Sequence, residues 1–229
     1  IFGGDHGDVP LREQDGKAIA EFLVEERVSV VLSLRHLRKN AQRRFVTELA
    51  EELYHLKGIT KNRTPMTIVI DEAPMFLPQS VTGEIAKTVG AIEDLVARGR
   101  NAGFGVVLIS QRAATLNKNV LTQAETIICH RLTSPQDKKA LKEWFEENSD
   151  LDAMNKVLDS LPKQRNGQAW VWSPVVDLFQ DVQVRLRRTF DSSATPKTGD
   201  AVVVPVRLKE NDIGKLKKGM QETAEQTKT

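Results

Sequence analysis

Two short stretches of this 229-residue chain end in groups that can handle a phosphate. The first, Met66-Thr67-Ile68-Val69-Ile70, is an apolar run rich in β-branched residues, launched by Thr64-Pro65 and followed at once by Asp71-Glu72-Ala73-Pro74. The second, Gly105-Val106-Val107-Leu108-Ile109, runs into Ser110-Gln111-Arg112. Runs of this kind read as strands buried on both faces of a parallel sheet, and open α/β sheets bind ligands at the C-terminal ends of their strands. Adjacent carboxylates repel, and at a dry sheet edge they are costly unless a cation or a proton offsets them. A Walker B element has this layout: Asp71 would hold Mg²⁺, directly or through water, and Glu72 would orient the water that attacks a γ-phosphate. An amide and a guanidinium leaving the core at Gln111 and Arg112 suit a γ-phosphate sensor. The competing reading is structural, with Asp71 capping a helix by accepting backbone N–H groups.

The elements that must position these residues follow from periodicity and punctuation. Residues 1 to 10 read as a strand end and a loop, Gly3-Gly4-Asp5-His6-Gly7-Asp8, closed by Pro10. This loop is like a phosphate cradle but lacks the lysine and hydroxyl that open the next helix, and GxxxxGK[ST] occurs nowhere in the chain. Gly16-Lys17 reads as a turn. Leu11, Ile19, Phe22 and Leu23 mark an amphipathic helix over 11–26, and Val28 to Leu34 reads as another buried strand. The most basic segment, Arg35 to Arg44, follows it, and its Arg38, Lys39 and Arg43 are candidate DNA-phosphate contacts. The alternative there is a solvated loop and first helical turn, leading into a helix through Phe45, Leu49, Leu53 and Leu56.

Beyond the acidic pair, Pro74 and Pro78 exclude regular helix and imply a shaped loop. A helix over about 82–100 carries Ile85, Val89, Ile92 and Val96 as its inner stripe and ends in Arg98-Gly99-Arg100. Glu125 to Cys129 is a strand, Pro135 opens a helix through Leu141, Trp144 and Phe145, a second helix covers about 151–161, and Gly167 to Trp172 returns as a strand. From Pro174 the pattern alternates as an edge strand would, and the tail from Glu210, rich in Lys, Glu and Thr, is expected to be mobile.

Composition bounds the rest. With 40% apolar and 28% charged residues the chain can bury a substantial core, and no apolar run is long enough for a membrane span. A cytoplasmic location without membrane contact is the expectation. A net charge of +2 is too small to argue for nucleic acid by itself. The single cysteine, Cys129, lies in an apolar run and reads as a small core residue. Ile1-Phe2 is not a translational start, so the chain reads as a fragment.

Ile68-Val69-Ile70-Asp71-Glu72-Ala73, followed by Arg98-Gly99-Arg100-Asn101-Ala102-Gly103-Phe104-Gly105 and the run to Ser110-Gln111-Arg112, resembles the HerA/FtsK superfamily of hexameric DNA-translocating ATPases, closest to its HerA-like branch. Gly3 to Asp8, Leu132-Thr133-Ser134-Pro135-Gln136-Asp137, and Leu161-Pro162 with Gly167-Gln168-Ala169 resemble that branch too. The resemblance covers roughly residues 1 to 172. It implies an α/β fold with a RecA-like P-loop NTPase core, mostly parallel, with residues 1–173 the distal part of the ATPase domain and 174–229 an edge strand and flexible basic tail. It also implies ATP and Mg²⁺, Asp71 as the metal-linked acid, Glu72 as the base and Gln111 as the sensor. Arg98 or Arg100 would be a finger reaching the next subunit, and Arg112 and Arg131 would make phosphate or interface contacts. The implied partners are further copies in a hexameric ring, double-stranded DNA, and a nuclease or defence effector. Two other readings stay open: a non-hydrolysing ATPase-like scaffold that recruits an effector, consistent with the missing P-loop, and a conjugation or secretion motor that shares these motifs.

Overall fold

The computed structural model describes residues 1–5, 7–148, 151–188 and Gly214; the loop at 192–196 and the tail from Glu210 lie outside them. The elements follow in the order β1 (Phe2–Gly3), α1 (Gly16–Glu26), β2 (Leu32–Ser33), α2 (Lys39–Gly58), β3 (Met66–Ile70), α3 (Ile85–Arg98), β4 (Phe104–Leu108), α4 (Lys118–Leu121), β5 (Ile127–Cys129), α5 (Pro135–Asn148), α6 (Leu151–Ser160), β6 (Gln168–Ser173) and β7 (Leu178–Gln183). The class is α/β. The chain forms two compact units, one from Ile1–Ile70 with Val81–Leu108 and Ala201–Thr229, the other from Asp71–Ser80 with Ile109–Asp200.

In the first unit the pairing is parallel throughout. β1 pairs with β2, Phe2 opposite Leu32, and β3 pairs with β4 along its whole length, from Met66 opposite Phe104 to Ile70 opposite Leu108. The helices supply the core through Ile19, Phe45, Leu53, Ile92 and Leu95, all buried. The inner stripe of α3 is Ile85, Val89, Ile92 and Leu95; Leu95 takes the place expected for Val96, which is only half-buried.

The strands are less buried than their composition predicts. In β3 exposure alternates, with Ile68 and Ile70 half-buried and Thr67 and Val69 exposed, and β4 repeats this with Gly105 and Val107 outward. Val69 is 59% and Val107 46% exposed, and the two sit opposite each other in register. Helices therefore cover one face of the pair, through Leu53, Ala91 and Leu95 against Ile68, Phe104 and Val106. The run from Val28 to Leu34 contributes only Leu32–Ser33 as strand, and Val28 and Val31 are exposed, because only the two residues of β1 pair with it.

Gly16-Lys17 is not a turn; it opens α1. A Cβ on Gly16 would stand 2.7 Å from the Phe45 carbonyl oxygen and 2.9 Å from Glu48 Cβ, so glycine is required for α1 to lie this close to α2.

The second unit is built on an antiparallel sheet, β5-β6-β7, where the sequence predicts a mostly parallel one. The boundary expected at 173/174 falls inside the β6–β7 hairpin. Against this sheet α5 and α6 pack Trp144, Phe145, Met154 and Val157, joined by Leu161, Trp170 and Trp172. Trp144 meets Trp172 edge-on at 4.5 Å between centroids, and Phe145 stacks on Trp172 at 4.9 Å. Aromatic truncations in such a cluster cost about 3–5 kcal/mol. Cys129 belongs to it, and burial pushes its thiol up to about 12, consistent with a packing role. No helix among the described residues is long and apolar enough to cross a membrane.

Candidate functional site

The chain leaves β3 at Ile70 and passes directly into Asp71 and Glu72. Beyond the strands the main chain stays paired, the Ala73 N–H donating to the Ile109 carbonyl at 2.9 Å. This pairing brings Glu72 beside Gln111, whose Nε2 donates to Glu72 Oε1 at 2.5 Å. Glu72 occupies the left-handed region at φ 49°, ψ 45°, where a non-glycine residue is strained, and such strain concentrates at functional sites. A 3-10 turn, Ala73–Met75, follows, with Ala73 fully buried beneath it.

Asp71 and Glu72 are both exposed, so the argument that a dry sheet edge compels a metal does not apply. Asp71 Oδ1 accepts the Glu72 N–H at 2.9 Å. This contact is not the expected helix cap, since Glu72 is the N-cap of the 3-10 turn Ala73–Met75 and that turn has no side-chain cap hydrogen bond; Asp71 Oδ2 takes no part in it. Among the described residues no three His, Cys, Asp or Glu side chains converge as a protein-only metal cage. Mg²⁺ commonly takes one or two carboxylates, keeps several waters and draws further oxygens from bound phosphates. Asp71 fits that partial role.

Arg112 turns to a different partner. Its Nε donates to Asp137 Oδ2 at 3.1 Å, while Asp137 Oδ1 accepts the Ala114 N–H at 2.9 Å and Ser110 Oγ accepts the Arg112 N–H at 3.0 Å. Asp137 is 1% exposed on the first turn of α5. A carboxylate so placed needs compensation, and Arg112 with Ala114 supplies it, tying the segment after Gln111 to α5. Asp137 closes the Ser134-Pro135-Gln136-Asp137 segment, and an acid in the first turn of a helix is unremarkable until its burial is known.

The remaining candidates stand elsewhere. Arg98 pairs with Asp94 at 3.1 Å on α3, and Arg100 is exposed in the 3-10 turn after it; both belong to the first unit. Arg131 is exposed after β5, with no hydrogen bond or ion pair to Asp71, Glu72 or Gln111 among the described residues. Arg38 and Lys39 lie exposed at the start of α2 and make no ion pair among the described residues, whereas Arg35 reaches Asp5 at 3.4 Å and Arg44 reaches Glu13 at 3.8 Å. Arg43 is half-buried. Near Arg35, His36 Nε2 meets Asp5 Oδ1 at 2.8 Å beside Gly3 and Gly4, both at positive φ.

The α/β fold is similar to that of a solved structure. It aligns with the genome packaging NTPase B204 of Sulfolobus turreted icosahedral virus 2, solved with sulfate, at a TM-score of 0.50 and 18% identity over 71% of this chain and 72% of that one. By sequence the chain is similar to curated HerA helicases. It is 24% identical over 174 residues to the DNA double-strand break repair helicase HerA of Pyrococcus furiosus, covering 74% of this chain and 30% of the relative. It is 30% identical over 132 residues to the probable HerA helicase of Methanocaldococcus jannaschii, covering 56% and 25%. The chain thus spans between a quarter and a third of the length of these relatives. No protein-family model matches it.

Proposed function

We propose that this chain is the distal part of the ATPase domain of a HerA-type DNA translocase or helicase. Two parallel strands in register release an acid pair and a glutamine, and the contact between Glu72 and Gln111 carries the reading. Glu72 is the group that orients and deprotonates the attacking water, and Gln111 keeps its carboxylate aimed and senses the γ-phosphate through the same amide. Asp71 holds Mg²⁺ through Oδ2, and the ion's chemistry is to neutralise charge on the β- and γ-phosphates of ATP. Arg112, fixed by Asp137, holds the loop that carries Gln111.

Arg98 or Arg100 acts on the neighbouring copy of a hexameric ring as a trans finger, worth about 10³ to 10⁵ in rate. Arg131 contacts phosphate or the adjoining subunit. Double-stranded DNA is the track, a nuclease or defence effector is the partner, and Arg38, Lys39 and Arg43 touch DNA phosphates. Neutralising Arg38 and Lys39 together then flattens the salt dependence of DNA binding by about two counterions, and an unaltered slope returns them to solvated surface.

The deciding experiment is ATP turnover by the full-length protein, with and without duplex DNA, as wild type and as Glu72→Gln. The variant is expected to bind ATP normally and to lose at least about 10²-fold in turnover. Unchanged turnover would overturn the assignment.

A further inference from the structure

The two segments that carry Glu72 and Gln111 separate beyond their contact and then meet again. At the near end the Ala73 N–H donates to the Ile109 carbonyl at 2.9 Å. Past Glu72 the chain turns through Ala73–Met75, and past Gln111 it turns through Ala113–Thr115. The segments then lie antiparallel, with Pro78 opposite Leu116. There the Gln79 N–H donates to the Thr115 carbonyl and the Asn117 N–H donates to the Leu77 carbonyl, each at 2.9 Å. Ala73 and Leu77 on one segment and Leu116 and Asn117 on the other are buried.

The acid and the sensor amide thus sit on a closed frame, pinned at both ends. A loop held at both ends samples few of the conformers open to a free one. Catalysis depends on such restriction, since a misplacement of about 1 Å can lower a rate on the order of 10²-fold. A side chain bridges the far pin: Gln79 Oε1 accepts the backbone N–H of Lys118 at 3.1 Å, where α4 begins. Lys118 is in turn tied to α5, its Nζ lying 2.6 Å from Glu143 Oε2. Gln79 is exposed, so the fold gains little from its hydrogen bond. What the bond restricts is the distance between the two loops.

We propose that Gln79 is a positioning residue for ATP hydrolysis. By accepting the Lys118 N–H it holds the loop after Glu72 against the loop after Gln111, and so keeps the carboxylate in register with the sensor amide. This role rests on the reading of Glu72 as the group that activates water. Gln79 acts through the backbone and not on the nucleotide, so its loss is read in kcat and not in KM.

The test is steady-state ATP hydrolysis by the full-length protein, with Glu72→Gln measured alongside. Gln79→Leu removes the acceptor and is expected to lower kcat about 10-fold with KM for ATP unchanged. Gln79→Glu keeps an oxygen in place and is expected to hold kcat within about 2-fold of wild type. Lys118→Pro removes the donor instead. Lys118 is the first residue of α4, where proline is tolerated, and Asn117 before it, at ψ 126°, is already outside the α region that a following proline disfavours. Lys118→Pro is expected to reproduce the Gln79→Leu loss, and the double variant is expected to lose no more than either single one, because both remove the same bond. Should one of the two single variants fail to fold, the other carries the test. An unchanged kcat, a loss in Gln79→Glu as large as in Gln79→Leu, a change confined to KM, or losses that multiply in the double variant would each overturn the proposal. Where Glu72→Gln is inactive, such a result removes Gln79 alone; a Glu72→Gln variant as active as wild type removes the reading of Glu72 and this role with it.

Discussion

Gln111 donates its side-chain amide to the carboxylate of Glu72, two groups separated by 39 positions in sequence and joined where paired strands end. Both side chains are exposed, so the contact adds little to stability. Its value lies in orientation. Gln111→Leu is therefore expected to fold within about 0.5 kcal/mol of wild type while lowering ATP turnover by about 10²-fold or more. Chemical denaturation and steady-state ATPase rates measured on the same preparation check both halves; equal turnover would reduce the contact to a surface hydrogen bond.

Glu72 pays for its position with a left-handed backbone at φ 49°. Glu72→Gly relieves this and is expected to raise stability by about 1 kcal/mol, even though glycine in ordinary backbone is unfavourable. The same substitution removes the base. A more stable, inactive protein is the expected result, seen as a higher denaturation midpoint with no turnover, and a less stable one would show that the backbone is not strained there.

The Glu72–Gln111 neighbourhood could be anticipated because two β-branched runs of equal length, each ending in polar groups, imply adjacent strands with their exits side by side. Other features were closed to that reasoning. Val69 and Val107 are as apolar as any core residue, and residue type cannot tell which face of a strand receives a helix. Gly16 looks like a turn residue, and only its distance from the Phe45 carbonyl reveals a packing role. Asp137 carries no signal in sequence because its significance is burial, a tertiary property.

Arg112 and Asp137 form a half-exposed ion pair, the arginine side chain 59% and the aspartate 1% exposed. Removing the arginine leaves a buried carboxylate with one backbone donor. Arg112→Met is expected to destabilise by about 1.5–3 kcal/mol, and the double variant Arg112→Met/Asp137→Asn is expected to be more stable than the single one. Urea midpoints of the three proteins provide the comparison, and strict additivity would mean the two side chains act independently.

Gly16→Ala sets two effects against each other. Alanine favours helix by about 1 kcal/mol over glycine, but its Cβ would press on backbone at Phe45 O, which cannot swing aside as a side chain can. Overpacking of this kind costs about 1–3 kcal/mol, so net destabilisation is expected, with α1 and α2 losing hydrogen-exchange protection together. A gain in stability would show that α1 can move away freely.

Lys57 is fully buried at the end of α2, its ammonium donating to the carbonyls of Asn62 and Thr64 beside the Phe104 ring. Burial, and then the positive charge of Arg27, hold it below its ordinary 10.5. The unfolded chain therefore binds this proton more tightly than the folded one. The resulting penalty is full below the lowered folded value and disappears as pH rises towards 10.5. The Cys129 thiol works in the opposite direction, its contribution falling once pH passes 9.0, because its folded value is about 12. Lys57→Met keeps Cys129 and removes only the lysine, so the difference between the two proteins isolates Lys57. Stability of wild type relative to Lys57→Met is expected to rise as pH climbs towards 10.5, as read from denaturant midpoints. A flat or falling difference would show that the ammonium is as well solvated by its carbonyls as by water.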